Sequence, residues 1–339
     1  MNVLLTGIPG WLGSRFLNVL IKGFEGKGPI NNWKIRCLVM QGAEPAFLND
    51  LKQIKDIEYV IGDITKSATL KKSVEGIDLV FHMAGVIHPR KISQFYKVNT
   101  LGTKNMMEAS ISAGVRKFVY ISSNSAGGIN TNRCALMDEN DESRPYLNYG
   151  LSKYKAECIV NYFQKMNKIE TVILRPCWFY GPNQPLRQTK FFKMIQGGRP
   201  IVFGNGENLR SMTYIDNLCQ AMLLVAEKKV ANGQTYWIGD SRSYTCNEIY
   251  KTIAELFKVN EFKPRYLPDF ISTFFFLMDN ILQRLGIYVK EVHVAGEMNK
   301  NIACSIKKAK EDLGYDPKIG LKQGMLKSIQ WCKKNDIIM

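Results

Sequence analysis

Tyr149 and Lys153 stand four residues apart in the run Tyr149-Gly150-Leu151-Ser152-Lys153. If that run opens a helix, a 3.6-residue turn puts phenol and ammonium on one face. A free tyrosine ionises near ~10 and is a poor base at neutral pH. Lowering that value by ~3 units takes roughly 4 kcal/mol of differential stabilisation, which two cations in a partly dry cleft supply. Such a phenol exchanges a proton with a hydroxyl or carbonyl oxygen. The spacing alone also fits a Tyr and a Lys that merely pair on a helix surface. A second pattern narrows the choice: Gly7-Ile8-Pro9-Gly10-Trp11-Leu12-Gly13 sets three glycines at intervals of three. It follows a strand-like run and precedes an amphipathic one. In that context Gly7 permits a tight turn, Gly10 lets backbone N–H groups approach a pyrophosphate, and Gly13 lets helix and strand pack closely.

The elements that must position these residues follow from hydrophobic periodicity. Short β-branched runs at residues 3–6, 35–40, 59–61, 79–82, 118–122 and 172–174 read as buried strands. Helical segments lie between most of them, with Leu12, Phe16, Val19 and Leu20 on one face and Met106, Met107 and Ile111 on another. Alternation of strand and helix predicts α/β architecture: a doubly wound parallel Rossmann sheet with a smaller, interleaved C-terminal substrate-binding lobe. The dinucleotide-binding domain is expected over residues 1–176, with a returning segment at about 209–239 that contains strands at 211–215 and 235–238 and a helix at 216–227. Residues 177–208 and 240–339 form the substrate lobe. Gly and Pro punctuate the chain from Gly181-Pro182 to Gly206, where that lobe begins. Residues 23–32 read as a long surface loop.

Length and composition set the outer limits. A chain of 339 residues, 45% hydrophobic and 22% charged, forms a closed core with a second lobe and is neither disordered nor a membrane bundle. The 46 Lys+Arg against 30 Asp+Glu give +16, a field that attracts anions such as a pyrophosphate cofactor, a nucleotide-sugar or an anionic membrane surface. Nucleic acid is disfavoured, because the lysines are dispersed and no aromatic-basic motif appears. The eight cysteines form no C-x-x-C pair and no signal peptide precedes them, so reduced thiols and a cytoplasmic location are expected. Residues 270–289 are the strongly apolar window, but Asp279, Asn280, Gln283 and Arg284 interrupt it, so no transmembrane segment is expected. His82, His88 and His293 lack ligand spacing, which predicts structural roles and no metal. No nucleophile-elbow frame surrounds Ser123, so hydrolysis is disfavoured.

The two motifs, with Gly62-Asp63-Ile64, Phe81-His82-Met83-Ala84-Gly85, Val98-Asn99-Thr100, Ile121-Ser122-Ser123, Leu174-Arg175-Pro176 and Tyr180-Gly181-Pro182, occur in the order seen in the extended short-chain dehydrogenase/reductase superfamily. The chain resembles its NAD-dependent epimerase/dehydratase members from residue 3 to at least 218. The resemblance implies that Tyr149 exchanges the proton, Lys153 lowers the tyrosine's pKa and holds the nicotinamide ribose, and Ser123 bonds the substrate oxygen. The alternative for Ser123 is a strand-end serine capping a turn. It further implies a cofactor site at Gly7, Pro9, Gly10, Trp11, Leu12, Met40, Asp63, Ile64, Met83, Ala84, Gly85, Asn99, Ile121, Tyr149, Lys153 and Pro176. Asn99 is expected to order a water or backbone group. Met40, at the position that separates NAD from NADP users, is neither acidic nor basic, which tips the choice to NAD with NADP still open.

Dehydratases of this superfamily carry an Asp-Glu pair after the active Ser/Thr, and here Asn124-Ser125 stands there, which disfavours dehydration. The run 204–211 resembles nucleotide-sugar epimerases, in which an Arg at the position of Arg210 clamps the diphosphate. With Ser123 and Asn124 it gives the expected substrate contacts. Apolar residues 270–277 and the runs 305–309 and 313–317 also resemble 3β-hydroxysteroid and sterol dehydrogenases, where such a segment lines a lipid pocket or lies at a membrane surface. The plainer reading of that segment is a core helix. A nucleotide-sugar is the preferred substrate, a sterol or other lipid hydroxyl the alternative, and a non-catalytic nucleotide-binding module the third possibility. The resemblance also suggests a homodimer through the helices around 99–112 and 149–165.

Overall fold

The structure is a computed structural model that describes all residues except 25–27, 31, 45–46, 48, 50, 52, 55, 133–134 and 339, and the side chain of residue 187. Asp50 and Cys134 therefore lie outside the described residues. The strands, in chain order, are β1 (Asn2–Ile8), β2 (Lys34–Val39), β3 (Ile57–Ile61), β4 (Leu79–His82), β5 (Lys117–Ile121), β6 (Glu170–Pro176), β7 (Trp178–Tyr180), β8 (Ile201–Phe203), β9 (Leu209–Arg210), β10 (Met212–Tyr214), β11 (Gln234–Ile238), β12 (Tyr244–Thr245) and β13 (Arg265–Leu267). Seven form one parallel sheet in the order β11-β6-β5-β4-β1-β2-β3. The expected doubly wound fold is present. The chain reverses direction across the sheet between β1 and β4, so a crevice opens there at the carboxyl ends.

The first helix, Trp11–Lys22, buries Leu12, Phe16, Val19 and Leu20 against one face of the sheet, as its spacing requires. It stops at Gly23, whose φ of 73° suits glycine and whose N–H donates to Val19 O at 2.8 Å. Met106 and Met107 are fully buried on the opposite face, with Leu4, Leu70, Val80 and Phe118. A further apolar cluster, away from the sheet, joins Tyr180, Phe192, Val202, Met212, Tyr250 and Met325.

Two expectations about the second half are corrected. Residues 211–215 do not return to the main sheet: β10 pairs with β7, and Ile215 already opens the helix Ile215–Glu227. The place beside β6 goes to β11, while β10 lies along β7, which continues the chain just past β6. Residues 235–238 do return, within β11. The apolar window forms the helix Asp269–Arg284, and it is not a core helix: Phe270, Phe274, Leu277 and Ile281 are exposed, while Ser272, Asp279 and Gln283 are buried. Among the described residues no helix is long and apolar enough to cross a membrane. The seven described cysteines are free thiols.

Candidate active site

The glycine turn after β1 is shaped by close contact. Gly7 has φ 83°, and a Cβ there would lie 2.8 Å from the Ala84 backbone nitrogen. Gly10 donates its N–H to Gly7 O at 2.8 Å, and a Cβ on Gly10 would fall 2.6 Å from that same oxygen. A Cβ on Gly13 would fall 2.5 Å from it. Three glycines thus bring the helix start against β1 and the end of β4. No side chain caps that helix, and its first turn holds no acid, so its free N–H groups face the crevice ready for an anion. This cradle fits a dinucleotide pyrophosphate, since any side chain at Gly7 or Gly10 would distort it. Pro9 and Trp11 flank the turn. The Trp11 indole donates to Pro182 O at 2.7 Å, and Leu12 packs in the core.

The other expected cofactor residues line the strand ends. Met40 follows β2 and is 63% exposed. Asp63 accepts the Thr65 N–H and hydroxyl, each at 2.9 Å, while Ile64 packs under Gly102. Met83, Ala84 and Gly85 follow β4, with the Ala84 N–H donating to Thr6 Oγ1 at 3.1 Å. Pro176 closes β6. Asn99 is fully buried and binds protein: its Oδ1 accepts from Val86 N at 2.8 Å, and its Nδ2 donates to Val86 O and Ser152 Oγ. It orders the loop after Gly85.

The helix Leu147–Lys165 carries both Tyr149 and Lys153. Its inner face buries Gly150, Ser152, Lys153, Ala156, Glu157 and Val160, an unusually polar set for a buried stripe. Lys153 Nζ donates to Ile121 O at 2.7 Å and lies 4.4 Å from the centre of the Tyr120 ring, at the end of β5. Burial pulls the Lys153 ammonium down to about 7, against the opposing pull of Glu157. Near neutral pH the site can therefore hold or release a proton there. Tyr149, one turn earlier, is partly exposed and packs on Phe95 with ring centres 5.8 Å apart. Ser123, at the end of β5, accepts from Ser125 N at 3.3 Å and donates to Asn124 Oδ1 at 3.4 Å, so it caps the short helix Asn124–Gly127.

Sequence reasoning missed the support behind this pair. Glu157, one turn beyond Lys153, receives both arms of Arg175, at 3.0 and 2.6 Å, and the Ser122 hydroxyl. The available signal was the continued spacing Tyr149, Lys153, Glu157 on one helical face. Arg210, in β9, donates to the carbonyl of Glu297. Glu297 and Arg210 both act on Tyr146, whose phenol is held well above its ordinary value first by burial and then by Glu297. Arg210 is thus brought beside the start of the Tyr149 helix.

Each of the three histidines hydrogen-bonds a neighbouring side chain. The Thr103 hydroxyl donates to Asn99 O at 2.6 Å, so it accepts from His82 Nε2, 3.1 Å away, and His82 Nδ1 accepts from Thr6 at 2.9 Å. Burial pushes His82 down to about 3, from 6.5. Between those values the unfolded chain binds more protons at His82, so its contribution is full above 6.5 and is lost as pH falls. Its share of the stability loss should approach about 1.4 kcal/mol per pH unit in that window. Denaturant titrations at several pH values should show a shallower decline in His82→Gln; an equal decline would acquit His82. His88 bonds Tyr288 at 2.6 Å, and His293 bonds Asp279 at 2.8 Å. No group of three potential metal ligands occurs among the described residues.

A doubly wound sheet, a glycine cradle at its switch point and a Tyr–Lys helix beside it define the class: an NAD-dependent enzyme of the extended short-chain dehydrogenase/reductase type. The profile of the NAD dependent epimerase/dehydratase family matches residues 3–239, and the chain belongs to that family. A Sinorhizobium fredii protein described only as uncharacterized protein y4nL is 40% identical, the match covering 98% of this chain and 95% of that one. The mouse dTDP-D-glucose 4,6-dehydratase is 26% identical over 98% of this chain and 89% of its own. Among solved structures, UDP-glucose 4-epimerase of Thermotoga maritima, determined with UDP-glucose, superposes with a TM-score of 0.77 at 24% identity, covering 99% of each chain. The sterol reading loses its pocket, because Phe270, Phe274 and Leu277 face outward.

Proposed function

We propose that the chain interconverts an alcohol and a ketone at a secondary carbon of a nucleotide-sugar, with epimerisation or net oxidation and reduction as the outcome. The glycine cradle and the helix start at Trp11 would hold NAD, which would supply a hydride acceptor there. Tyr149 takes the hydroxyl proton as the C–H hydride leaves that carbon, and returns it when the hydride comes back. Lys153 favours the phenolate and holds the cofactor ribose, Ser123 re-aims its hydroxyl from its local cap to the substrate oxygen, and Asn124 borders the same oxygen. The observation that carries the reading is a buried lysine, one helical turn from Tyr149, pinned to the strand end that adjoins the cradle.

Asn124-Ser125, in place of an acidic pair, speaks against water elimination despite the dehydratase relatives. Arg210 is assigned the diphosphate, trading the Glu297 carbonyl for an anion. The chain is taken to work in the cytoplasm as a homodimer through the helices Gly102–Ser112 and Leu147–Lys165; exposed Leu101 and Tyr162 at these helices support the contact. The test is turnover of UDP- and dTDP-hexoses with NAD, alongside a hydroxysterol. Arg210→Ala should weaken the nucleotide-sugar by about 2 kcal/mol, roughly thirtyfold in kcat/KM, and leave the sterol unaffected. Equal effects on both would remove the assignment.

A further inference from the structure

The helix Asp269–Arg284 is amphipathic in the reverse sense. Phe270, Phe274, Leu277 and Ile281 are 57–71% exposed, and Leu285 just beyond is 70% exposed. At helical spacing they form one stripe, roughly 22 Å long at 1.5 Å per residue. The polar side chains of the same helix face inward and are bonded there. Ser272 Oγ donates to Ala295 O at 2.6 Å, His293 bonds Asp279 at 2.8 Å, and Gln283 donates to Asp279 at 3.0 Å. Gln283 Oε1 also accepts from Asn148 N and Nδ2, at 3.1 and 2.9 Å. Gly296 lies against the Phe276 backbone, so a neighbouring helix closes that inner side. Rotating the apolar stripe inward would break every one of these bonds. The polar network therefore fixes the aromatic face toward the outside.

The charge on the stripe itself is Arg284, and around it the cations outnumber the exposed acids of this helix and the next, Asp269 and Glu291. Arg284 shares the stripe, and Arg265, Lys290 and the exposed Arg90 and Lys91 stand on the segments that adjoin it; none of the five forms an ion pair with any described residue. Arg90 and Lys91 follow His88, which bonds Tyr288 just past the helix. A second copy laid face to face here would set the same cations against one another, whereas an anionic lipid surface is complementary to them.

We propose that this face is a membrane-docking surface: the helix Asp269–Arg284 lies in the plane of an anionic bilayer, its phenylalanines and leucines inserted at the headgroup boundary and Arg284 among the lipid phosphates. Because Gln283 holds Asn148, the residue before Tyr149, the docked face sits next to the catalytic crevice. The inference does not depend on which substrate that crevice takes. The test is sedimentation of the full chain with vesicles of phosphatidylcholine alone or with added phosphatidylglycerol. The chain should sediment with the anionic vesicles, less so in high salt. Phe274→Ser with Ile281→Ser should lower its apparent affinity at least about tenfold, and Arg284→Glu should lower it on anionic vesicles alone. Both substituted residues are exposed, so an unchanged melting temperature confirms the fold is intact. Wild-type chain that stays in the supernatant, or a double variant that sediments equally, overturns the proposal. So does a double variant whose only change, by light scattering, is the loss of a dimer.

Discussion

Tyr149→Phe is expected to lower turnover by about 100- to 10,000-fold while leaving the fold and NAD affinity intact. The change removes one oxygen, the group proposed to carry the substrate proton, and keeps the ring against Phe95. The backbone carbonyl of Tyr149 still accepts from Ser152 Oγ at 2.7 Å, so the helix start is undisturbed. Any cost to stability should stay within about 1 kcal/mol. Steady-state kinetics and a calorimetric NAD titration check both halves. Turnover within a few-fold of wild type would exclude Tyr149 as the proton carrier. Weakened NAD binding with normal single-turnover chemistry would make it a cofactor residue only.

The largest expected loss of stability belongs to Glu157→Ala. Arg175 and Glu157 are 8% and 3% exposed and form a bidentate pair, so the variant leaves a guanidinium buried without its carboxylate. Breaking such a pair costs about 3–5 kcal/mol, a large part of a typical total of about 5–15 kcal/mol. A fall in melting temperature of about 4–7 °C follows. Glu157 also raises the Lys153 pKa, so its removal should push an ammonium already at about 7 lower still and reduce activity at neutral pH. Glu157→Leu with Arg175→Met removes both charges and should recover most of the stability but not the activity. A melting point in Glu157→Ala within about 1 °C of wild type would refute the pair's structural role.

The sequence made some of this visible because those signals are local. The glycines of the first turn must be glycines for reasons contained within residues 7–13 and one neighbouring strand end, so spacing and context were enough. The Tyr149–Lys153 relation is likewise a property of one helical turn. The Glu157–Arg175–Ser122 cluster was not visible, since its members come from a helix and two strand ends and meet only through the sheet. The helix Asp269–Arg284 marks a different limit. Its periodicity announces an apolar and a polar face, yet which face turns inward is decided by distant partners: His293, Ala295 and Asn148. The failure of residues 211–215 to join the main sheet has the same origin, because a strand's period does not report which strand it will pair with.

The proposed chemistry depends first on the glycine cradle at the β1–β4 switch point holding NAD. Calorimetric titration of nucleotide-stripped protein with NAD tests that directly. One saturable site per chain, lost when Gly10→Val fills the space beside Gly7 O, is the predicted result. Heats no larger than dilution, or binding that Gly10→Val leaves unchanged, would contradict it.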